Sequence, residues 1–235
     1  MMTYLPFIGL FLATFLIGAI ALAVQHRHQQ SIKLFLSFSG AFLLATCVIH
    51  LLPELFQRGD LNVAPFILLG FFFQILIEFI SQGVEHGHIH APKKAGTFPG
   101  LIFLGLCLHA FTEGLPLSNI DQGAAYQPLY WGILMHKLPI ALVLVSLFAA
   151  HDLGKRTSLT ALAIFALLTP LGGMTGHALA QTTGITLIPY FLAASTGIFL
   201  HISTVILFET SHNHRFNLLK FLFITAGGLL AYGLF

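Results

Sequence analysis

The sequence predicts an all-α, polytopic membrane protein with eight transmembrane helices and with its N- and C-termini outside. Three observations carry that expectation. The chain of 235 residues is 57% hydrophobic and only 8% charged, whereas soluble domains carry about a quarter charged residues. Its apolar runs recur at lengths near the ~20 residues that a helix needs to cross a bilayer. All but one of the cations between those runs fall on one side of the membrane when the N-terminus is placed outside, in line with the enrichment of Lys and Arg in cytoplasmic loops.

The segments follow one another with short polar or turn-forming breaks. The first, 3–24, ends at QHRHQQ; ALA at 21–23 resembles a signal cleavage site, but no basic stretch precedes the run and the run is too long. The second, 31–52, ends near FQRGDLN, and the third, 62–82, runs into VEHGHIHAPKKAG. The fourth, 98–118, and the fifth, 128–150, flank SNIDQGAAYQ. HDLGKR leads into the sixth, 157–181, TTG into the seventh, 186–209, and SHNHR into the eighth, 215–234. None of the breaks is long enough to fold separately. The expectation is a single transmembrane domain over 1–235, with a short cytoplasmic His-containing loop at about 83–97.

With the N-terminus outside, Arg27, Lys33, Lys93, Lys94, Lys155, Arg156, Arg215 and Lys220 are cytoplasmic, Arg58 is outside and Lys137 lies within the membrane. A net charge of +2 spread in this way forms no nucleic-acid surface. Cys47 and Cys107 stand alone in apolar runs and read as packing residues rather than a disulfide or CxxC site. The 13 histidines are the unusual feature.

An ionisable group at mid-bilayer costs a few kcal/mol or more, so it is read as functional by default. His109 lies ten residues before Asn119 and His136 nine after Gln127. At about 1.5 Å per residue both sit some 15 Å from the same surface. Glu113, four residues after His109, shares its helix face. Two imidazoles and one carboxylate suit a borderline divalent cation: Zn²⁺ foremost, with Fe²⁺, Mn²⁺ and Cd²⁺ as alternatives. The opposing reading is that the histidines only hydrogen-bond between helices as packing glue. Pro116 and Pro139 free the carbonyls of Thr112 and Met135 nearby. Lys137 is too deep to snorkel and needs an anion, for which Glu113 and Glu78 compete.

These residues resemble the ZIP (Zrt/Irt-like) family of divalent metal transporters, and within it the animal-type subgroup with HK in the fifth helix. GAFLLATCVIHLLPEL, FILLGFFFQILIE, HAFTEGLPLS, HKLPIALVL, TPLGGMTGHAL and GIFLHISTVILFE fall in the family order along most of the chain. The resemblance implies eight helices with both ends outside, a variable histidine-bearing loop after the third, and metal movement into the cytosol. By motif position it makes His109, Glu113 and His136 the primary metal ligands. Ala110 and Lys137 stand where many relatives carry the Asn and acidic residue of a second metal site, which puts a two-metal arrangement in doubt. Ile206 stands where subgroup relatives tend to have a glutamate, with Glu209 nearby.

Along the path, His50 and Glu54 are expected at the outer mouth, against the plainer reading that they only face water at a helix end. Glu78 lies in the inner half of the third segment, His201 and Glu209 on a candidate exit path, and His86, His88 and His90 in the cytoplasmic loop as acceptors of exiting metal. His177, in a run with Gly172 and Gly176 at GxxxG spacing, reads as a packing residue. No GxxxxGK[ST] run is present, so transport is expected to be secondary or facilitated. The partners expected are a divalent metal ion, carried as cargo with no cofactor, and the lipid bilayer, with no nucleic acid; the assembly is open, a homodimer among the options. The location expected is the plasma membrane or a bacterial inner membrane. Two rival readings stand beside transport. An intramembrane zinc hydrolase would use the same ligands to activate water, but the sequence holds no HExxH and no aspartate inside a predicted helix. The other is a non-transporting membrane receptor.

Overall fold

A chain segment in hydrocarbon has no water to satisfy its amides and carbonyls, so each apolar run closes its own hydrogen bonds as a helix. The structure, a computed structural model, describes residues 4–24, 29–57, 62–87, 96–119, 126–183, 187–209 and 217–235, and every regular element among them is helical. Helix α1 spans Leu5–Val24, α2 Gln29–Thr46 and α3 Leu52–Gln57, with a π-helical turn Cys47–Leu51 joining the last two into one rod. Then come α4 Val63–Ser81, α5 Gly100–Gly114, α6 Tyr126–Ala150, α7 Lys155–Thr183, α8 Ile188–Glu209 and α9 Leu218–Leu234. Seven of the described spans are long and apolar enough to cross a membrane, and α9 adds an apolar eighth of 17 residues. The protein is an all-α polytopic membrane protein.

The second rod runs five residues beyond the predicted end and widens where the sequence shows no break. Pro53 has no amide to return to the preceding turn and its ring presses on that turn. The π-turn just before it, closed by the Leu52 amide on the Cys47 carbonyl, makes room.

Helix backbones come into direct contact at several crossings, among them α4 with α8 and α5 with α7. At Gly70 on α4 a side chain would land on the Ala194 carbonyl, and at Gly197 on α8 one would land on the Ile67 carbonyl. On α5 and α7, Gly114 meets the Thr169 carbonyl and Gly172 meets the Phe111 carbonyl. Small residues allow such approach between membrane helices, where packing and interhelical hydrogen bonds replace the hydrophobic drive. The Thr169 hydroxyl donates to the Ala110 carbonyl across this seam at 2.7 Å. Outward faces stay apolar: Leu68, Leu69, Phe72 and Phe79 of α4 are all exposed.

Helix α6 is largely buried, with α1 on one flank and α2 on another, while α4 and α5 pack together and α5 lies along α7. This arrangement draws α4, α5, α6 and α8 around the polar side chains of the interior.

Candidate metal centre

Helix α5 presents His109 and Glu113 one turn apart, and α6 presents His136 and Lys137, all four side chains at most 1% exposed. The His109 and His136 rings stand edge to face with centroids 5.7 Å apart. One ligand atom from each of His109, Glu113 and His136 lies within 4.8 Å of the other two. His109 Nε2 is 3.5 Å from Glu113 Oε2. In a tetrahedral zinc site with bonds of ~2.0–2.1 Å, neighbouring ligand atoms are roughly 3.3 Å apart. The first two ligand atoms therefore stand at nearly the right separation, and His136, within 4.8 Å of both, needs to move inward by no more than about 1.5 Å to close the set.

The donor set is also chemically idle. His109 Nε2, Glu113 Oε2 and both His136 ring nitrogens are buried without a hydrogen-bond partner. Buried polar atoms are satisfied in the great majority of cases, and a cluster of exceptions calls for a bound species. The other carboxylate oxygen is occupied. Glu113 Oε1 lies 2.6 Å from Lys137 Nζ and accepts from the Thr169 hydroxyl at 3.0 Å. Lys137 also sits over the Phe165 ring, 4.3 Å from its centroid. Lys137 is thus placed on Glu113, and Glu78, the other acid considered for it, lies elsewhere.

Glu78 belongs to a second group. Its Oε2 is 3.3 Å from His201 Nε2 and 3.6 Å from His86 Nε2, and these three residues form the other set of potential metal ligands among the described residues. Both histidines are buried, and the His201 ring packs edge-on to Phe71 with centroids 5.0 Å apart. The sequence reading puts His86 with His88 and His90 in a cytoplasmic loop that accepts exiting metal, and the structure turns His86 inward. Gln82 and Gly83 adopt left-handed conformations at the end of α4, with φ of 57° and 69°. The chain folds back, and the 3-10 turn Val84–His86 is buried throughout. The loop therefore begins after His86. His88 and His90 lie outside the described residues.

Gln74 and Glu85, which sequence reasoning passed over, lie between the two groups. Both are fully buried, and Gln74 bonds His109 on one side and Glu85 on the other, each at 3.3 Å. The available signal was Gln74 itself, an amide inside an apolar run. Elsewhere, His50 sits in the π-turn, half-buried, with Nε2 3.3 Å from the Ala231 carbonyl and its ring against Phe235. His50 and Glu54 belong to no three-ligand group among the described residues. His177 bonds Gln181 at 2.7 Å, Ile206 is buried in the core, and the side chain of Glu209 lies outside what the structure describes.

A bundle of apolar helices holding a buried His₂Glu set among its packed helices defines an integral membrane protein with a candidate metal site. The chain belongs to the ZIP zinc transporter family, whose pattern it matches over residues 97–234. It is similar to zinc transporter ZIP1 of Danio rerio, 22% identical over 280 residues that cover 94% of this chain and 92% of the relative. Against zinc transporter ZIP1 of Bos taurus it is 26% identical, covering 88% of this chain and 78% of the relative. Zinc transporter ZIP9 of Micropogonias undulatus is 29% identical over 153 residues, 59% of this chain and 48% of that protein. Members of the family are transporters and not enzymes, which removes the hydrolase reading.

Proposed function

We propose that this protein carries Zn²⁺ across the membrane into the cytosol, holding it midway on His109, Glu113 and His136. The observation that carries the reading is the convergence of three buried ligand atoms within 4.8 Å, with lone pairs that nothing else uses. Fe²⁺, Mn²⁺ and Cd²⁺ suit the same donors with small changes in bond length.

Lys137 sets the strength of the site. A bound Zn²⁺ with Glu113 alone would leave one net positive charge, and Lys137 raises it to two. In a medium of low dielectric that excess weakens retention, which suits a carrier better than a storage site. Because Lys137 and Thr169 hold Glu113 Oε1, the metal is left with Oε2. Lys137 also fills the position at which many members of the family carry an acidic residue of a second metal site, which favours a single metal here. The His136–Lys137 pair supports placement in the subgroup with HK in this helix.

With both termini outside, α3 ends at the outer face and the turn Val84–His86 lies toward the cytosol. His50 and Glu54 then meet the ion first, and Glu78, His86 and His201 receive it after the central site. A negative-inside potential supplies about 2.3 kcal/mol per charge per 100 mV, hence about 4.6 for a divalent ion moving inward. Alternating exposure of the central site to either side completes the cycle. Flux into proteoliposomes with a trapped fluorescent indicator tests this, run with Zn²⁺, Fe²⁺, Mn²⁺ and Cd²⁺ on wild type and His136→Ala. Saturable flux abolished by the substitution is expected. Flux that survives His136→Ala, or none for any of the four ions in the wild type, contradicts it.

A further inference from the structure

We infer that Gln74 and Glu85 form a relay that orients the metal ligand His109 and ties it to the turn carrying His86. The inference rests on His109 being a ligand of the central site. It begins from an unusual placement: Glu85 is a fully buried carboxylate whose partners among the described residues are two neutral groups, the Gln74 amide and the Ser81 hydroxyl. A buried charge met only by neutral donors is costly, and a merely structural position is more cheaply filled by an apolar residue.

The direction of the hydrogen bonds supplies the role. A carboxylate only accepts, so the Gln74 amide turns its NH₂ toward Glu85 Oε1 and its carbonyl oxygen toward His109. That oxygen in turn requires a proton on His109 Nδ1. The tautomer is thereby fixed, and the lone pair falls on Nε2, the atom that faces Glu113 Oε2 and lacks any partner. Metal-ligating histidines commonly donate their other ring nitrogen to a carboxylate or carbonyl, which holds the ring and raises its basicity. Here an amide stands between the imidazole and the acid, and the charge of Glu85 polarises it.

The far end of the relay is fixed as well. Glu85 is the neighbour of His86 in the 3-10 turn, and the Ser81 hydroxyl binds its second oxygen at the end of α4. One run of contacts thus connects a ligand of the central site to a member of the second His/Glu group. Gln74 and Glu85 are positioning residues, acting on metal only through His109 and the turn.

Titration of the purified full chain with Co²⁺, followed by its ligand-field spectrum, tests the relay. His136→Ala is the control: loss of Co²⁺ binding there upholds the central site, while binding equal to wild type overturns the site and the relay together. With the control met, Gln74→Met, which keeps the volume and removes both hydrogen bonds, is expected to weaken binding by about 10- to 100-fold. The exchange Gln74→Glu with Glu85→Gln restores an acceptor for His109 and a donor behind it, and is expected to bind within about threefold of wild type. An unchanged affinity in folded Gln74→Met overturns the relay, as does an exchange variant whose affinity falls tenfold or more. Should Gln74→Met fail to fold, the exchange variant decides by the same two limits.

Discussion

The Lys137 ammonium lies 2.6 Å from Glu113 Oε1 at a depth where neither side chain is exposed by more than 1%. The protein therefore carries its own cation on the one acid of its candidate central site. Removing one member of such a buried pair leaves an uncompensated charge, at a cost of about 3–5 kcal/mol. Lys137→Met is expected to lower the thermal midpoint of the metal-free protein markedly, and added Zn²⁺ is expected to recover most of the loss. A midpoint within about a degree of wild type would show that the pair does not hold the apo site together.

The opposite substitution reads out charge instead of stability. Lys137→Glu turns a repelling neighbour of the metal into an attracting one, so Zn²⁺ should bind at least about tenfold more tightly and leave more slowly. Equilibrium titration with a competing chelator measures it. No change in affinity would remove Lys137 from any part in metal retention.

The Thr169 hydroxyl shares its single proton between Glu113 Oε1 at 3.0 Å and the Ala110 carbonyl at 2.7 Å, on the seam where Gly172 admits the Phe111 carbonyl. Thr169→Val keeps the shape and removes the hydroxyl, leaving a buried carboxylate short of one donor at a cost of about 1–3 kcal/mol. Gly172→Leu forces the two backbones apart and should be the more damaging of the two. Comparing their denaturation midpoints in detergent gives the order, and equal values would argue against a tight α5–α7 seam.

Substitutions in the second His/Glu group should separate binding from passage. His201→Ala or Glu78→Gln leaves the three central ligands in place, so Zn²⁺ affinity at the central site is expected to hold within about threefold while maximal flux falls about tenfold. That split follows from a role after the central site in a pathway with more than one station. A matching loss of central-site affinity would assign these residues to the central site instead.

The membrane helices were legible because an apolar run of about 20 residues has one physical solution in lipid. His109, Glu113 and His136 were legible for a related reason: ionisable groups are conspicuous where they are expensive, and helix rise alone levels their depths. The π-turn at Cys47–Leu51 left no such mark, since only Pro53 just beyond it hints at a break. The burial of His86 left no mark either, since alternating histidines after a helix read as a loop tract. The residues that bend it inward are Gln82 and Gly83, whose left-handed conformations reverse the chain. Gln74 went unremarked because a lone amide in a membrane helix usually means interhelical glue. Its importance comes from meeting Glu85, eleven residues away, after that reversal.

The central claim, that two imidazoles and one carboxylate hold the transported ion, is tested most directly by X-ray absorption at the zinc edge on protein carrying one Zn²⁺. The account predicts first-shell nitrogen and oxygen scatterers near 2.0–2.1 Å, the outer-ring signature of two imidazoles, and loss of one imidazole in His136→Ala. Sulfur in the first shell, or a spectrum unchanged by His136→Ala, would contradict it.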